Sequence, residues 1–173
     1  AVNSNTGALN FTVDDADVGD TLSVTGVSNN QALVMDANIV VSGSATNFSV
    51  TVTPEANVTG TATITLSLTD GTATVTDSFD VTVPNTNPTI SDVTDQSIAM
   101  NTSLSNLGFT VGDGETLVGS LQFSASSSNT VLVPNANISG GGSGANRTVT
   151  ITPAIGLTGT STITLTITDE GGL

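Results

Sequence analysis

Apolar and polar residues alternate strictly between residues 60 and 83. Ala62, Ile64, Leu66 and Leu68 fall on even positions, with Thr and Ser between them. After Asp70-Gly71 the apolar set Ala73, Val75, Phe79, Val81 and Val83 falls on odd positions. A period of two puts one face of each strand in a core and the other in water. Asp-Gly between two such runs predicts a hairpin closed by a type I′ turn, because Gly accepts the positive φ. The same reading predicts strands over 8–13, 21–28, 32–35, 38–42, 47–53, 61–69 and 72–83. No stretch carries a helical period. Short strands punctuated by turn residues are the pattern of an immunoglobulin-like sandwich.

The pattern occurs twice. Phe11-Thr12-Val13 returns as Phe109-Thr110-Val111, an offset of 98 residues. Val50-Thr51-Val52-Thr53-Pro54 returns as Val149-Thr150-Ile151-Thr152-Pro153, and Thr59-Gly60-Thr61-Ala62-Thr63-Ile64 as Thr158-Gly159-Thr160-Ser161-Thr162-Ile163, an offset of 99. One insertion therefore separates two copies whose spacing matches the roughly 100 residues of one sandwich. The expected architecture is all-β, two tandem immunoglobulin-like (Greek-key) β-sandwich domains over 1–86 and 87–173. Pro84 and Pro88 bracket and stiffen the link. The second unit opens on Thr89-Ile90-Ser91 and 96–99, read as a first strand that switches between sheets. The first unit has little counterpart to 88–105, and the second has none to 72–83. The window is expected to begin and end inside a repeat, cut from a longer array. The sharper alternative has neighbouring chains supplying the strands, as in donor-strand fibres.

Composition narrows the chemistry. Charged residues make up 9% of the chain, so Thr, Ser and Asn carry its solubility, as in secreted β-rich proteins. Aromatics at 3% leave Val, Ile, Leu and Ala to build the cores. Without Cys there is no disulfide, thiolate nucleophile or Cys-based metal site, and without His the commonest general base is gone. Trp and Tyr are absent too, which removes the usual sugar-stacking platform. Arg147 is the single basic side chain, so a nucleic-acid partner is rejected for want of phosphate-neutralising charge. Without Lys there is no Lys-based isopeptide crosslink. The formal net charge of −14 points toward divalent cations or acid-tolerant exposure, and equally toward simple repulsion that keeps a surface protein soluble. No run reaches the length of a membrane span, and no signal peptide opens the window.

The segments FTVDDADVGDTLSVTGVSNN, LTDGTATVTDSFDVTVPNTNPTIS and SSSNTVLVPNANISGGGSGANRTVTITP resemble the immunoglobulin-like and cadherin-like repeats of very large bacterial surface proteins and adhesins. The resemblance implies an extracellular, repetitive, mechanically extended protein in which such repeats serve as stalk or filament body.

Candidate chemistry centres on Asp14, Asp15, Asp17 and Asp20, in the turn after the first strand. Calcium takes six to eight oxygen ligands, and closely spaced Asp side chains offer them. Asn85, Asn87, Glu55 and the Asp169-Glu170 turn are expected near that end, an arrangement resembling the junction calcium of cadherin-like arrays. The link reads NTNP without the acidic residues of a cadherin linker, and the second unit offers only Asp113 and Glu115 in the matching turn. A solvated turn rich in Asp is the competing reading. Asp70 and Asp169 read as turn residues. The Thr runs over 61–69 and 158–168 invite an ice-binding idea that sheet twist disfavours. Arg147, in the place of Phe48, is expected at a strand end facing water or paired with an acidic neighbour. Sequons at Asn10, Asn47, Asn57, Asn101, Asn137 and Asn146 offer sites for glycans.

Together these readings point to a structural segment of an extracellular repetitive protein that spaces or projects, with neighbouring copies or repeats as partners. The alternative is an adhesive or glycan-binding module acting through inter-strand loops, chiefly 31–37 and 139–145. No catalytic residue is assigned, since no acid pair stands beside an aromatic-lined cleft.

Overall fold

The computed structural model describes residues 3–16, 19 and 21–172. The chain divides into two compact units, Ala1–Asn85 and Thr86–Leu173. Each is built from antiparallel strands and each has its own core.

In the first unit β1 (Leu9–Thr12), β4 (Asn47–Val52) and β3 (Ile39–Ser44) form one sheet, with β4 central. The second sheet is β2 (Ser23–Ser28), β5 (Gly60–Thr69) and β6 (Thr74–Val83), with β5 central. Alternation decides which side chains go inside. Ala62 and Ile64 of β5 are fully buried, as are Val50 and Val52 of β4, and they pack with Leu33, Val34, Ile39, Val81 and Val83. Burying a side chain of this size contributes about 1.5–3 kcal/mol.

The second unit repeats the plan. Its first sheet runs β10 (Ile138–Ser143), β11 (Asn146–Ile151), β8 (Leu104–Gly112), β7 (Thr89–Ile90), and its second pairs β12 (Ile163–Thr168) with β9 (Gln122–Ser127). Phe109, Val111, Leu121 and Val149 are its most buried apolar cluster. The copies agree in detail. Gly43 faces Phe48 in the β3–β4 register, and Gly142 faces Arg147 in β10–β11. Both glycines have positive φ, and a Cβ on either would meet backbone atoms of the facing strand, so only Gly fits.

Four expectations are corrected. Residues 32–35 form no strand; Leu33 and Val34 sit in a turn, their amides donating to the Asn30 carbonyl at 3.2 and 2.9 Å. Both side chains are fully buried, and two adjacent buried residues break the alternation a half-buried strand requires. The β5–β6 hairpin closes through Asp70–Ala73 rather than a two-residue turn, since Thr69 pairs with Thr74. The Asp70 carboxylate stabilises this longer loop by accepting from the amides of Thr72 (2.6 Å) and Ala73 (2.7 Å). Residues 96–99 are not a strand, and β7 is only Thr89–Ile90. Residues 139–143, expected within a loop, belong to β10.

Candidate functional site

The segments that follow β1 in the first unit and β8 in the second carry acidic residues. In the first unit Asp14 is exposed and its Oδ1 accepts from the amide of Asp15 at 3.0 Å. Asp17 and Asp20 lie outside the described residues. In the second unit the chain leaves β8 through Asp113-Gly114-Glu115-Thr116. Oδ1 of Asp113 accepts from the amides of Glu115 (2.8 Å) and Thr116 (2.5 Å), which closes the turn. Oδ2 of the same carboxylate is buried and has no hydrogen-bond partner. Glu115 is 4% exposed, and its Oε2 accepts from the amide (3.1 Å) and the hydroxyl (2.6 Å) of Thr86. A second carboxylate of this unit, Asp169, is also buried. Among the described residues no three acidic side chains stand close enough to hold a metal ion by themselves.

Among the described residues the enclosed acidic side chain of these turns is Glu115 in the second unit, while Asp14 in the first is exposed. The missed signal lies outside the turn: Thr86, a link residue, supplies two donors that stabilise Glu115 as a buried acceptor. Charge density alone gives no hint of that, because burial depends on the segment folded over the turn.

The loop at 31–37, expected to recognise a ligand, spends its polar groups on itself. Gln31 donates to Asp36 Oδ1 (2.7 Å) and to the Ser28 carbonyl (2.8 Å), and its own Oε1 accepts from the Asp36 amide (3.1 Å). Asp36 Oδ1 also accepts from the Ser28 amide (2.7 Å). These bonds hold the Asp36 carboxyl below its ordinary value of 3.8, the Ser28 amide being the larger cause. In the second unit Asn135 Oδ1 accepts from Ser127 in the same way at 2.9 Å. Asp70 is likewise lowered, first by the Ala73 amide and then by that of Thr72.

Arg147 is half-buried rather than directed at water. Its Nε donates to the Gly144 carbonyl (2.9 Å) and Nη2 to the carbonyls of Val118 (2.8 Å) and Leu121 (3.5 Å). The lone cation is thus a tie between β11 and the loop before β9. A shallow, open hollow beside it is lined by Ser91, Phe109, Gly142, Asn146 and Thr148.

Among the described residues no helix is long and apolar enough to cross a membrane. No protein-family model matches the chain, and no curated protein does. Among solved structures, it is similar to domains 4 and 5 of the S-layer protein SbsC at 22% identity, over 90% of this chain and 74% of that one, with a TM-score of 0.37. It is similar to protocadherin gammaB7 EC3-6 at 17% identity, over 98% of this chain and 43% of that one, with a TM-score of 0.35. An endo-fucoidan hydrolase of glycoside hydrolase family 107 matches at 15% identity, over 98% of this chain but 25% of the hydrolase, with a TM-score of 0.39.

Proposed function

We propose that the chain is a structural segment of an extracellular repetitive protein, two sandwich repeats of a stalk or filament body that space and project. One observation carries this reading: the same loop network is built twice. Leu33 and Leu132 donate to Asn30 and Asn129, Glu55 and Ala154 donate to the carbonyls of Leu33 and Leu132, and Thr53 and Thr152 to those of Asn38 and Asn137. Loops whose donors and acceptors are satisfied within the unit serve its rigidity and leave few groups for a ligand. Neighbouring copies or repeats of the same protein are the partners this reading implies, and exposed sheet edges the means of joining them. Electron microscopy of the native material tests it. Fibres or rows with an axial repeat set by the tandem unit are expected. Tight, specific binding of the isolated chain on a glycan array would instead favour recognition through loops.

Calcium belongs to the same reading as the ion that stiffens an acidic turn. Asp113 and Glu115 fit it in the second unit, since all their donors are hard oxygens and the buried Oδ2 of Asp113 has no other partner. Two carboxylates fall short of a calcium shell, so hydroxyl, carbonyl and water oxygens must complete it. In the first unit the proposed ligands are Asp14, Asp15, Asp17 and Asp20. Chelation with EDTA is expected to lower the melting midpoint, with recovery on adding calcium but not sodium. An unchanged melting curve and hydrodynamic radius would remove the metal.

A further inference from the structure

We propose that the hollow beside Arg147, between β9 and β10, is a binding site for a carboxylated sugar, a uronic acid residue of an acidic polysaccharide. The inference goes beyond the structural reading above and does not rest on it.

The site begins with its charge. Arg147 is the single basic side chain in a chain with 15 acidic ones, yet no carboxylate answers it. The guanidinium is half-buried, and among the described residues every bond it makes goes to a backbone carbonyl, those of Gly144, Val118 and Leu121. Carbonyls satisfy N–H groups without cancelling the charge, so a cation held half out of water gains from an anion that reaches it. Nε and Nη2 are engaged, while Nη1 makes no bond among the described residues. The buried side-chain polar atom without a partner is Oδ2 of Asp113, so Nη1 is open to solvent. Its two N–H groups are donors of the kind a carboxylate takes.

The surroundings suit the same ligand. A hollow of about 240 Å³ is lined by Phe123 of β9, by Gly140, Gly141 and Gly142 of β10, and by Arg147. That is room for one sugar ring. The Thr152 amide donates to the Asn137 carbonyl, so the pairs 139–150 and 141–148 exchange hydrogen bonds and Gly140 and Gly142 turn their amides away from β11. β10 is the edge of its sheet, and glycine leaves those amides uncovered by a side chain. Two backbone donors and a guanidinium thus border one hollow whose remaining wall is an aromatic ring. The donors suit a carboxylate. The half-buried Phe123 ring suits the C–H face of a sugar, which an acidic amino-acid side chain lacks.

The first unit shows that these features go together. Val24, Val41 and Phe48 stand where the second unit has Phe123, Gly140 and Arg147. There Phe48 is 9% exposed and stacks on Phe11, so the place of the cation is taken by core. The aromatic wall, the glycine floor and the charge enter together in the second unit. Because the net charge of −14 repels anions at longer range, the expected dissociation constant is on the order of millimolar, unlike the tight recognition through loops considered above.

The test titrates sodium glucuronate into the isotopically labelled full chain and follows the Gly140 and Gly142 amides and the Arg147 Nε–H by NMR. Saturable shifts at all three are expected, with glucose and the methyl ester of glucuronate at least about tenfold weaker because neither carries the charge. Arg147→Gln keeps a donor for the carbonyls but loses the cation, and should weaken glucuronate binding at least about tenfold. Should that variant not fold, the methyl ester makes the same comparison on the unaltered chain. The proposal is overturned if glucuronate leaves the three signals in place, or if the ester, glucose or a folded Arg147→Gln chain binds equally well. N-acetylaspartate binding as tightly as glucuronate would overturn the assignment to a sugar, since an acidic peptide would then serve as well. Failure here leaves the axial repeat expected by electron microscopy untouched, so the two readings fall separately.

Discussion

Three residues of the second unit exchange roles with three of the first. Phe11 stacks on Phe48 in the first unit with ring centroids 6.0 Å apart. In the second, Arg147 takes the place of Phe48, and Phe109 packs on Phe123 instead at 5.9 Å. Phe123 stands where the first unit has Val24, and Gly140 where it has Val41. The ring gains its room from that glycine, since a Cβ on Gly140 would lie 2.5 Å from Cδ1 of Phe123. Gly140→Val should destabilise the second unit by about 1–3 kcal/mol through overpacking, and Phe123→Val should recover most of the loss in the double variant. Denaturant unfolding of the two singles and the double checks the coupling. Arg147→Met removes the bonds to the Gly144, Val118 and Leu121 carbonyls and should cost about 1–3 kcal/mol, checked by denaturant unfolding.

Asp36 and Asp70 set a pH dependence at the same scale. Both carboxyls lie below 3.8 in the folded chain because backbone amides stabilise the charged form. The stability they contribute is present above the unfolded value and is lost as pH falls through the lowered folded value. The first unit should therefore soften below about pH 4. Asp36→Asn, which copies Asn135, should flatten part of that slope while keeping the bond from Ser28. A slope unchanged by Asp36→Asn in acid titrations followed by circular dichroism would contradict the assignment.

At the scale of elements, the loop between β2 and β3 holds the first core closed from one end. Leu33 is fully buried within it and is kept there by bonds to Asn30 and from Glu55. Leu33→Ala should cost about 2–5 kcal/mol, the range of a buried leucine whose cavity does not collapse. Calorimetry should show the loss in the first unit's transition alone. Strand lengths follow the same logic of mutual support. A strand persists only as far as a neighbour accepts its bonds, which is why β5 has ten residues and β12 has six.

For the whole molecule, charge is the dominant long-range term. With a formal net charge of −14 and one basic residue tied to carbonyls, repulsion among carboxylates opposes compaction. Raising sodium chloride from about 10 mM to 500 mM shortens the screening length to a few ångströms and should raise the melting midpoint. A midpoint that falls with salt would mean that favourable electrostatics hold the units together.

What the sequence determined alone is whatever depends on near neighbours. Alternation at 62–68 and 79–83 set which faces are buried, and the 98- and 99-residue offsets set two like units of antiparallel β structure. Tertiary structure decided what depends on residues far away along the chain. The adjacent apolar pair Leu33-Val34 reads as strand until the core takes both side chains from a turn. Glu115 reads as one more solvated carboxylate until Thr86 folds over it. Residues 159–162 repeat a strand sequence, yet strand is a property of pairs, so their conformation is set by the segment beside them.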